Sequence, residues 1–137
     1  MRELYTQVIM DHYKKPRNHG EIENPDIEEH LLNPLCGDEV TVYAKFDGDK
    51  VAEASFTGRG CSISQASASM MTERLVGKSR EGAEAEIESF KNMMTGDEEF
   101  PDDEDELAAL KGIIQYPSRI RCATLSWDAF QRGLDGN

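Results

Sequence analysis

The sequence predicts a small α+β domain in which an antiparallel β-sheet is covered by helices. The chain has 137 residues, which is about the length of one domain. Between about residues 39 and 57, apolar and polar residues alternate on both sides of a turn-forming segment, Asp47-Gly48-Asp49-Lys50. Helical spacing of apolar residues occurs before and after that hairpin. Because no internal repeat or second block of composition divides the chain, we expect residues 1–137 to form a single two-layer domain.

The first helix is predicted over Arg2 to Lys15, and Pro16 ends it. Its apolar stripe consists of Leu4, Tyr5, Val8, Ile9 and Tyr13. The segment from Arg17 to Pro34 contains two Asn-Pro pairs and many polar residues, which is typical of loops. Within it, residues 28–32 form a run too short to assign to a helix or a strand.

The predicted hairpin has one buried face on each of its strands. The residues expected on that face are Val40, Val42, Ala44 and Phe46 in the first strand, and Ala52, Ala54 and Phe56 in the second. The Asp47-Gly48-Asp49 segment resembles a fragment of a calcium loop, but it lacks the spaced carboxylates and the closing Glu of such a loop. A hairpin turn is therefore the better interpretation.

Four helical segments are expected after the hairpin. The first begins directly after Cys61 and ends near Gly77, and the second runs from a capping Ser79 to Met94. Eight of the ten residues from 97 to 106 are acidic, which predicts a solvated loop or helix entry. A third apolar stripe then runs from Leu107 to Ile114. The last helix is expected over about Ser118 to Leu134, with Ile120, Ala123, Trp127 and Phe130 as core candidates.

The composition excludes several classes of function. The formal net charge is −12, so a nucleic-acid backbone would be repelled. The sequence has no run of about 20 apolar residues and no basic-then-apolar leader, so we expect a cytoplasmic protein without a membrane span. The acidity itself has two open explanations, which are adaptation to high salt and complementarity to a basic partner surface.

Three cysteines at element boundaries are the strongest sign of chemistry. Cys36 lies two residues before Asp38, so in an extended chain the two side chains point the same way. Cys61 is expected at the start of a helix, where unpaired amides stabilise a thiolate, and Cys122 is expected in the first turns of the last helix. Three thiolates and one carboxylate make the four ligands that a tetrahedral zinc site needs. The alternative to metal binding is that each cysteine is simply a small buried hydrophobic residue. For Cys122 taken alone, we favour that interpretation.

The surroundings of this Cys₃Asp set contain cations but no histidine at ligand spacing. Arg59, Arg119 and Arg121 are placed to offset a formal charge of about −2 for zinc with four anionic ligands. His12, His19 and His30 have no short paired spacing, so we expect them to be surface or capping residues.

Three ordered motifs of the chain resemble the iron–sulfur cluster assembly scaffold family, the IscU/NifU-like proteins. They are Asn33-Pro-Leu-Cys-Gly-Asp38, Gly58-Arg-Gly-Cys-Ser-Ile-Ser-Gln-Ala-Ser-Ala-Ser69 and Arg119-Ile-Arg-Cys-Ala-Thr-Leu-Ser-Trp127. Within the family the chain is most similar to the zinc-binding SufU branch. Like that branch, it has Arg121 where the scaffold branch has a His, and it has a helical, acidic insert at about residues 79–106.

This resemblance implies a zinc-dependent sulfurtransferase. SufU-like proteins bind zinc through the residues matching Cys36, Asp38, Cys61 and Cys122, and they accept persulfide sulfur from a pyridoxal-phosphate cysteine desulfurase of the SufS type. In the family, a desulfurase histidine replaces the first cysteine on zinc, which frees the thiol matching Cys36 to attack the persulfide. The sulfur then passes to downstream iron–sulfur assembly proteins. Arg119 or Arg121 would support docking or balance the charge of the zinc site.

Two other functions remain open on the sequence. The first is an assembly scaffold that holds a [2Fe–2S] cluster on the same four ligands. The presence of Arg121, where the scaffold branch has a His, argues against this function. The second is a structural zinc domain that acts only as a binding module, which predicts that chelation unfolds the protein.

Overall fold

The computed structural model describes residues 2–102 and 104–136, and the side chains of residues 2–5 lie outside that description. Within these residues, three strands and five helical segments follow one another. They are α1 (Arg2–Lys14), β1 (Ile27–Asn33), β2 (Asp38–Asp47), β3 (Lys50–Arg59), α2 (Ser62–Leu75), α3 (Arg80–Thr95), a 3₁₀ helix (Glu106–Gln115) and α4 (Pro117–Asp135). The predicted α+β architecture, with an antiparallel sheet and covering helices, is confirmed.

The sheet has three antiparallel strands in the order β1-β2-β3. The β2–β3 hairpin was predicted, whereas β1 occupies a segment that the sequence left unassigned within a predicted loop. β1 pairs with β2 from Ile27 opposite Ala44 to Asn33 opposite Asp38. As an edge strand it buries Ile27 and Asn33 but leaves the residues between them half-buried or exposed, so its alternation is weak.

A bulge in β3 corrects the predicted face of that strand. Lys45 pairs with Glu53 but Phe46 pairs with Val51, so Ala52 is the extra residue. The bulge shifts the phase of the alternation by one residue. Val51 is therefore buried and Ala52 exposed, where the sequence pattern predicted Ala52 on the buried face.

The core lies between the sheet and two helices that cover it, α2 and α4. The core is rich in small residues on α2 and in large ones on α4, where the single tryptophan, Trp127, is fully buried. The Trp127 ring stacks on Phe90 of α3 with ring centroids 4.1 Å apart. Its Nε1–H donates a 2.9 Å hydrogen bond to Ser67 Oγ of α2, so one side chain ties three helices together.

The helix boundaries follow local capping chemistry. Ser79 caps α3 as predicted, because its side chain accepts a hydrogen bond from the Gly82 amide. Gly96 ends α3 in the left-handed region. The segment after the acidic run is a 3₁₀ helix, which fits apolar residues at a spacing of three, Leu107, Leu110 and Ile113.

The described residues of the acidic run lie outside regular structure up to Asp105, whose side chain caps the 3₁₀ helix by accepting from the Leu107 amide. Arg74 of α2 contacts both Asp105 and Glu86 of α3, at 2.8 and 3.4 Å, which fastens the run to the domain. Residue 103 lies outside the described part. That residues 79–106 are an insert relative to other family members stays a prediction.

Two predictions for α1 are wrong. Tyr13, expected in the apolar stripe, is 42% exposed. His12, expected at the surface, is fully buried on the helix face that packs against α2 and the 3₁₀ helix. His19 and His30 are exposed as expected. None of the described helices is long and apolar enough to cross a membrane.

Candidate metal centre

Two connections of the fold and the start of α4 meet near one end of the sheet, and each carries a cysteine. Cys36 lies in the turn between β1 and β2, Cys61 is the residue that precedes α2, and Cys122 is in the second turn of α4. The predicted positions of Cys61 and Cys122 are confirmed. The extended conformation expected at Cys36 is wrong, because residues 34–37 form a turn in which Gly37 has a φ of 70°.

The donor atoms of Cys36, Asp38 and Cys122 all lie within 4.8 Å of one another. Cys61 is outside that group, but its Sγ is 3.9 Å from Asp38 Oδ2. Asp38 thus lies at the junction of all four predicted ligands. Cys36 and Cys61 are partly exposed and Cys122 is buried, so the cluster is open to a partner from the side of the β1–β2 turn.

A backbone hydrogen bond from the start of α2 holds the Asp38 side chain in place. It is 1% exposed, and its Oδ1 accepts a 2.8 Å hydrogen bond from the Cys61 amide. Gly60, with a φ of 148°, makes this approach possible, since a Cβ there would collide with Oδ1 and lie 2.9 Å from the Asp38 Cα. The glycine before Cys61 therefore serves to bring Asp38 and the start of α2 together.

Asn33 is a site residue to which the sequence reasoning gave no role. It is 1% exposed, and its Nδ2 donates to Asp38 Oδ2 at 3.4 Å and to Cys122 Sγ at 3.6 Å. One amide therefore orients two of the predicted ligands, as an outer-shell residue does in a metal site. The signal was available, because Asn33 is part of the motif that contains Cys36 and Asp38.

The surroundings of Cys122 favour its neutral thiol over the thiolate. Burial above all, and then hydrogen bonds to Asp38 and Cys36, raise the pKa of Cys122 well above its usual value. The nearby Cys61 adds a like charge when it is ionised. A thiolate at Cys122 therefore requires a compensating positive charge, which a bound metal ion would supply.

The three arginines have different positions. The exposed Arg119 donates from Nη1 to Cys36 Sγ at 3.9 Å, and a hydrogen bond to Cys122 followed by the charge of Cys36 raises the Arg119 pKa. Arg59 instead pairs with Glu39 at 2.8 Å. Arg121 is exposed. Among the described residues, Arg119 is the predicted cation that contacts a predicted ligand, Cys36.

The donor set fits zinc by its chemistry. Thiolate sulfur and a carboxylate oxygen are both zinc ligands, and four of them satisfy a tetrahedral ion. The buried Asn33 amide supplies the outer contact that such ligands require. Metal binding by these four residues stays a prediction. The proximity of the donor atoms of Cys36, Asp38 and Cys122 supports it.

Comparison with known families supports the same assignment of the motifs. The profile of the NifU-like N-terminal domain matches residues 4–133. The chain belongs to that family. Two curated relatives extend over nearly its whole length. The zinc-dependent sulfurtransferase SufU of Bacillus subtilis is 50% identical over 133 residues, covering 96% of this chain and 89% of the relative.

The second relative has a different function in its name. The iron–sulfur cluster assembly scaffold protein IscU of Streptococcus pyogenes is 40% identical over 135 residues, covering 98% of this chain and 84% of the relative. Among solved structures, FiSufU of Fervidobacterium islandicum superposes with a TM-score of 0.86 at 38% identity, covering 97% and 98% of the two chains. The two relatives of this chain are thus named for two of the three functions that the sequence left open, sulfur transfer and cluster-assembly scaffolding.

Proposed function

We propose that this protein is a zinc-dependent sulfurtransferase, which accepts persulfide sulfur from a cysteine desulfurase and passes it to iron–sulfur cluster assembly. The observation that carries the proposal is the convergence of Cys36, Asp38 and Cys122 donors within 4.8 Å, with Cys61 in contact with Asp38. The similarity to the B. subtilis zinc-dependent sulfurtransferase supports it.

The four residues would share zinc, which when bound lowers the pKa of its thiol ligands and keeps them as thiolates. Among them, Cys36 is the best candidate for the sulfur acceptor. It lies in an exposed turn next to Leu35, which is 85% exposed, so a partner can reach it without unfolding the domain. Cys122 is fully buried, and the Cys61 amide is hydrogen-bonded to Asp38.

In the transfer, the Cys36 thiolate attacks the terminal sulfur of the desulfurase persulfide. A bond forms between Cys36 Sγ and that sulfur, the bond to the donor cysteine breaks, and the donor leaves as a thiolate that takes up a proton. The exchange needs no external oxidant, because the sulfane sulfur carries the oxidation state with it. Arg119, which contacts Cys36 Sγ, would stabilise the anionic persulfide on the product side.

The desulfurase partner we infer is a pyridoxal-phosphate enzyme of the SufS type. The test combines purified protein with such an enzyme and cysteine, and measures both the turnover of the desulfurase and the mass of the accepting chain. Wild-type protein should raise turnover and gain the mass of one sulfur atom. Cys36→Ala should fold, since the turn is exposed, but should do neither.

Asp49→Ala is the matched control, because Asp49 is an exposed turn residue at the opposite end of β2. It should support turnover like the wild type. Full stimulation by Cys36→Ala, or a sulfur adduct on another cysteine in that variant, would overturn the role of Cys36. Loss of folded structure on chelation, with no effect on a desulfurase, would instead favour a structural zinc domain.

A cluster scaffold is the second candidate, favoured by the S. pyogenes relative and by a ligand set that suits [2Fe–2S] as well as zinc. It predicts that anaerobically reconstituted protein carries a cluster and delivers it to an apo-acceptor. The zinc and iron content of protein purified without added metal separates the two candidates directly. Zinc alone at one per chain supports the sulfurtransferase.

A further inference from the structure

A second group of ligand-type side chains lies away from the cysteines, where α1, α2 and the 3₁₀ helix meet. It consists of His12, Glu73 and Glu106, whose donor atoms lie within 4.8 Å of one another. We propose that these three residues form a second cation site, for a divalent first-row metal ion that prefers nitrogen and oxygen ligands.

The buried His12 points to an ion. Its side chain is 0% exposed, and its Nε2 makes no hydrogen bond to any described residue. A buried polar atom without a partner is unfavourable, so a native structure rarely keeps one unless something binds it. Nε2 faces the two carboxylates, which lie 3.0 Å away in Glu106 and 4.0 Å away in Glu73.

The geometry around Nε2 is that of neighbouring ligands. Glu106 Oε1 is 3.0 Å from Nε2 without forming a hydrogen bond, so it lies off the axis along which Nε2 donates or accepts. Two ligands about 2.1 Å from one ion and about 90° apart are separated by about 3.0 Å. The Glu73 oxygen needs to move by about 1 Å to match that separation, and the side chain is 43% exposed, which allows the movement.

The other ring nitrogen of His12 is already fixed. Nδ1 lies 2.8 Å from Ser69 Oγ, which also accepts the Arg17 amide at 2.8 Å. Metal-binding histidines commonly donate their second N–H to a fixed acceptor, which sets the tautomer and the ring plane. Ser69 Oγ can accept a proton from Nδ1, and in that tautomer Nε2 is the ring nitrogen that can bind a metal ion.

The neighbouring arginines make their short ion pairs with other carboxylates, and Arg17 interacts with Glu73 and Glu106 only through space. Arg17 pairs with Asp11 at 2.7 Å, and Arg74 binds both oxygens of Asp105 at 2.8 and 3.0 Å. Within residues 2–102 and 104–136, the ion-pair partner seen for Glu73 and Glu106 is His12. One imidazole and two carboxylates are ligands of intermediate to hard character, unlike the thiolate-rich centre at the end of the sheet.

The site opens into a cleft of about 240 Å³, large enough for an ion with water ligands. The cleft is lined by Met70, Glu73, Arg74, Asp105, Glu106 and Leu107. An ion there would join the first helix of the chain to α2 and to the segment that leads into α4. It would thus add a link among three elements that already contact one another through the His12–Ser69 hydrogen bond and the Arg74–Asp105 ion pair.

The experiment uses tag-free, zinc-loaded protein titrated with MnCl₂ and followed by electron paramagnetic resonance. Wild-type protein should bind one Mn²⁺ per chain without losing zinc, and spin-echo modulation should show one coupled imidazole nitrogen. Glu73→Gln and Glu106→Gln should each weaken binding by roughly tenfold or more. Glu104→Gln, which removes the same charge from an exposed residue nearby, should bind like the wild type.

These variants change exposed side chains, so their folding is expected to be intact, and circular dichroism checks it. The proposal is overturned if Mn²⁺ binding is equally strong in the Glu73→Gln/Glu106→Gln double variant. It is also overturned if bound Mn²⁺ shows no nitrogen coupling, or if Mn²⁺ binds only by displacing zinc. The group would then be an ordinary ion pair of His12 with surface carboxylates.

Discussion

Replacing Gly60 by alanine tests how the fold holds Asp38 at the centre of the cysteine cluster. The substitution has two costs. A residue with a Cβ at a φ of 148° is strained by about 1–3 kcal/mol. The added Cβ also collides with the buried Asp38 side chain, and overpacking of this kind costs about 1–3 kcal/mol. The free energy of unfolding should therefore fall by roughly 2–6 kcal/mol.

Gly20→Ala separates the two costs. Gly20 has a nearly identical φ of 139°, but a Cβ there would meet nothing within 4 Å. This control should therefore lose only the backbone component, about 1–3 kcal/mol. Both variants are measured by urea unfolding, with and without zinc, in parallel with the wild type.

Zinc affinity is the sharper readout of the two. Displacing Asp38 breaks its 2.8 Å hydrogen bond from the Cys61 amide and moves a predicted ligand. Gly60→Ala should therefore bind zinc roughly 10–100-fold more weakly, as for other changes in the support of metal ligands. Gly20→Ala should match the wild type in a competition with a chromophoric chelator. Equal stability losses in the two variants, with unchanged zinc affinity in Gly60→Ala, would refute the reasoning.

Two further substitutions test the packing and the support of the site. Gly133→Ala puts a Cβ against Ile27 of β1, so the free energy of unfolding should fall by up to about 2 kcal/mol after the gain in helix propensity. In the Ile27→Ala background, Gly133→Ala should lower the free energy of unfolding by clearly less. An equal loss would contradict the contact between residues 133 and 27. Asn33→Ala should lower zinc affinity by about tenfold or more, because it removes the donor that orients a ligand carboxylate and thiol. Leu32→Ala, next to it but 54% exposed, should leave the affinity unchanged; a loss there would point to a general effect on β1.

The sequence predicted the elements whose signals are local. The β2–β3 hairpin, the start of α2 at Cys61 and the Ser79 cap each follow from a few neighbouring residues, and the structure agrees. β1 was missed because it is stabilised by pairing with β2 rather than by its own pattern. The bulge at Ala52 also could not be seen, since it depends on the register between two strands.

The cysteine cluster could be predicted as a set, because three thiols at element boundaries and a carboxylate two residues from one of them suggest ligands. Its geometry could not, since it depends on the contact between Asp38 and the Cys61 amide across 23 residues of chain. His12 was misjudged as a surface residue. Its spacing of four from Val8 and three from Ile9 would have placed it on the packed face of α1.

The stack of Trp127 on Phe90 gives the protein an intrinsic optical probe. Trp127 is the only tryptophan, it is fully buried, and it follows Cys122 by five residues on the same helix. Its partner Ser67 also donates to the Ala123 carbonyl at 2.6 Å, directly after Cys122. The emission of this indole therefore responds to any displacement of α4 at the cluster, and it can follow loading and release of the site in real time without an added label.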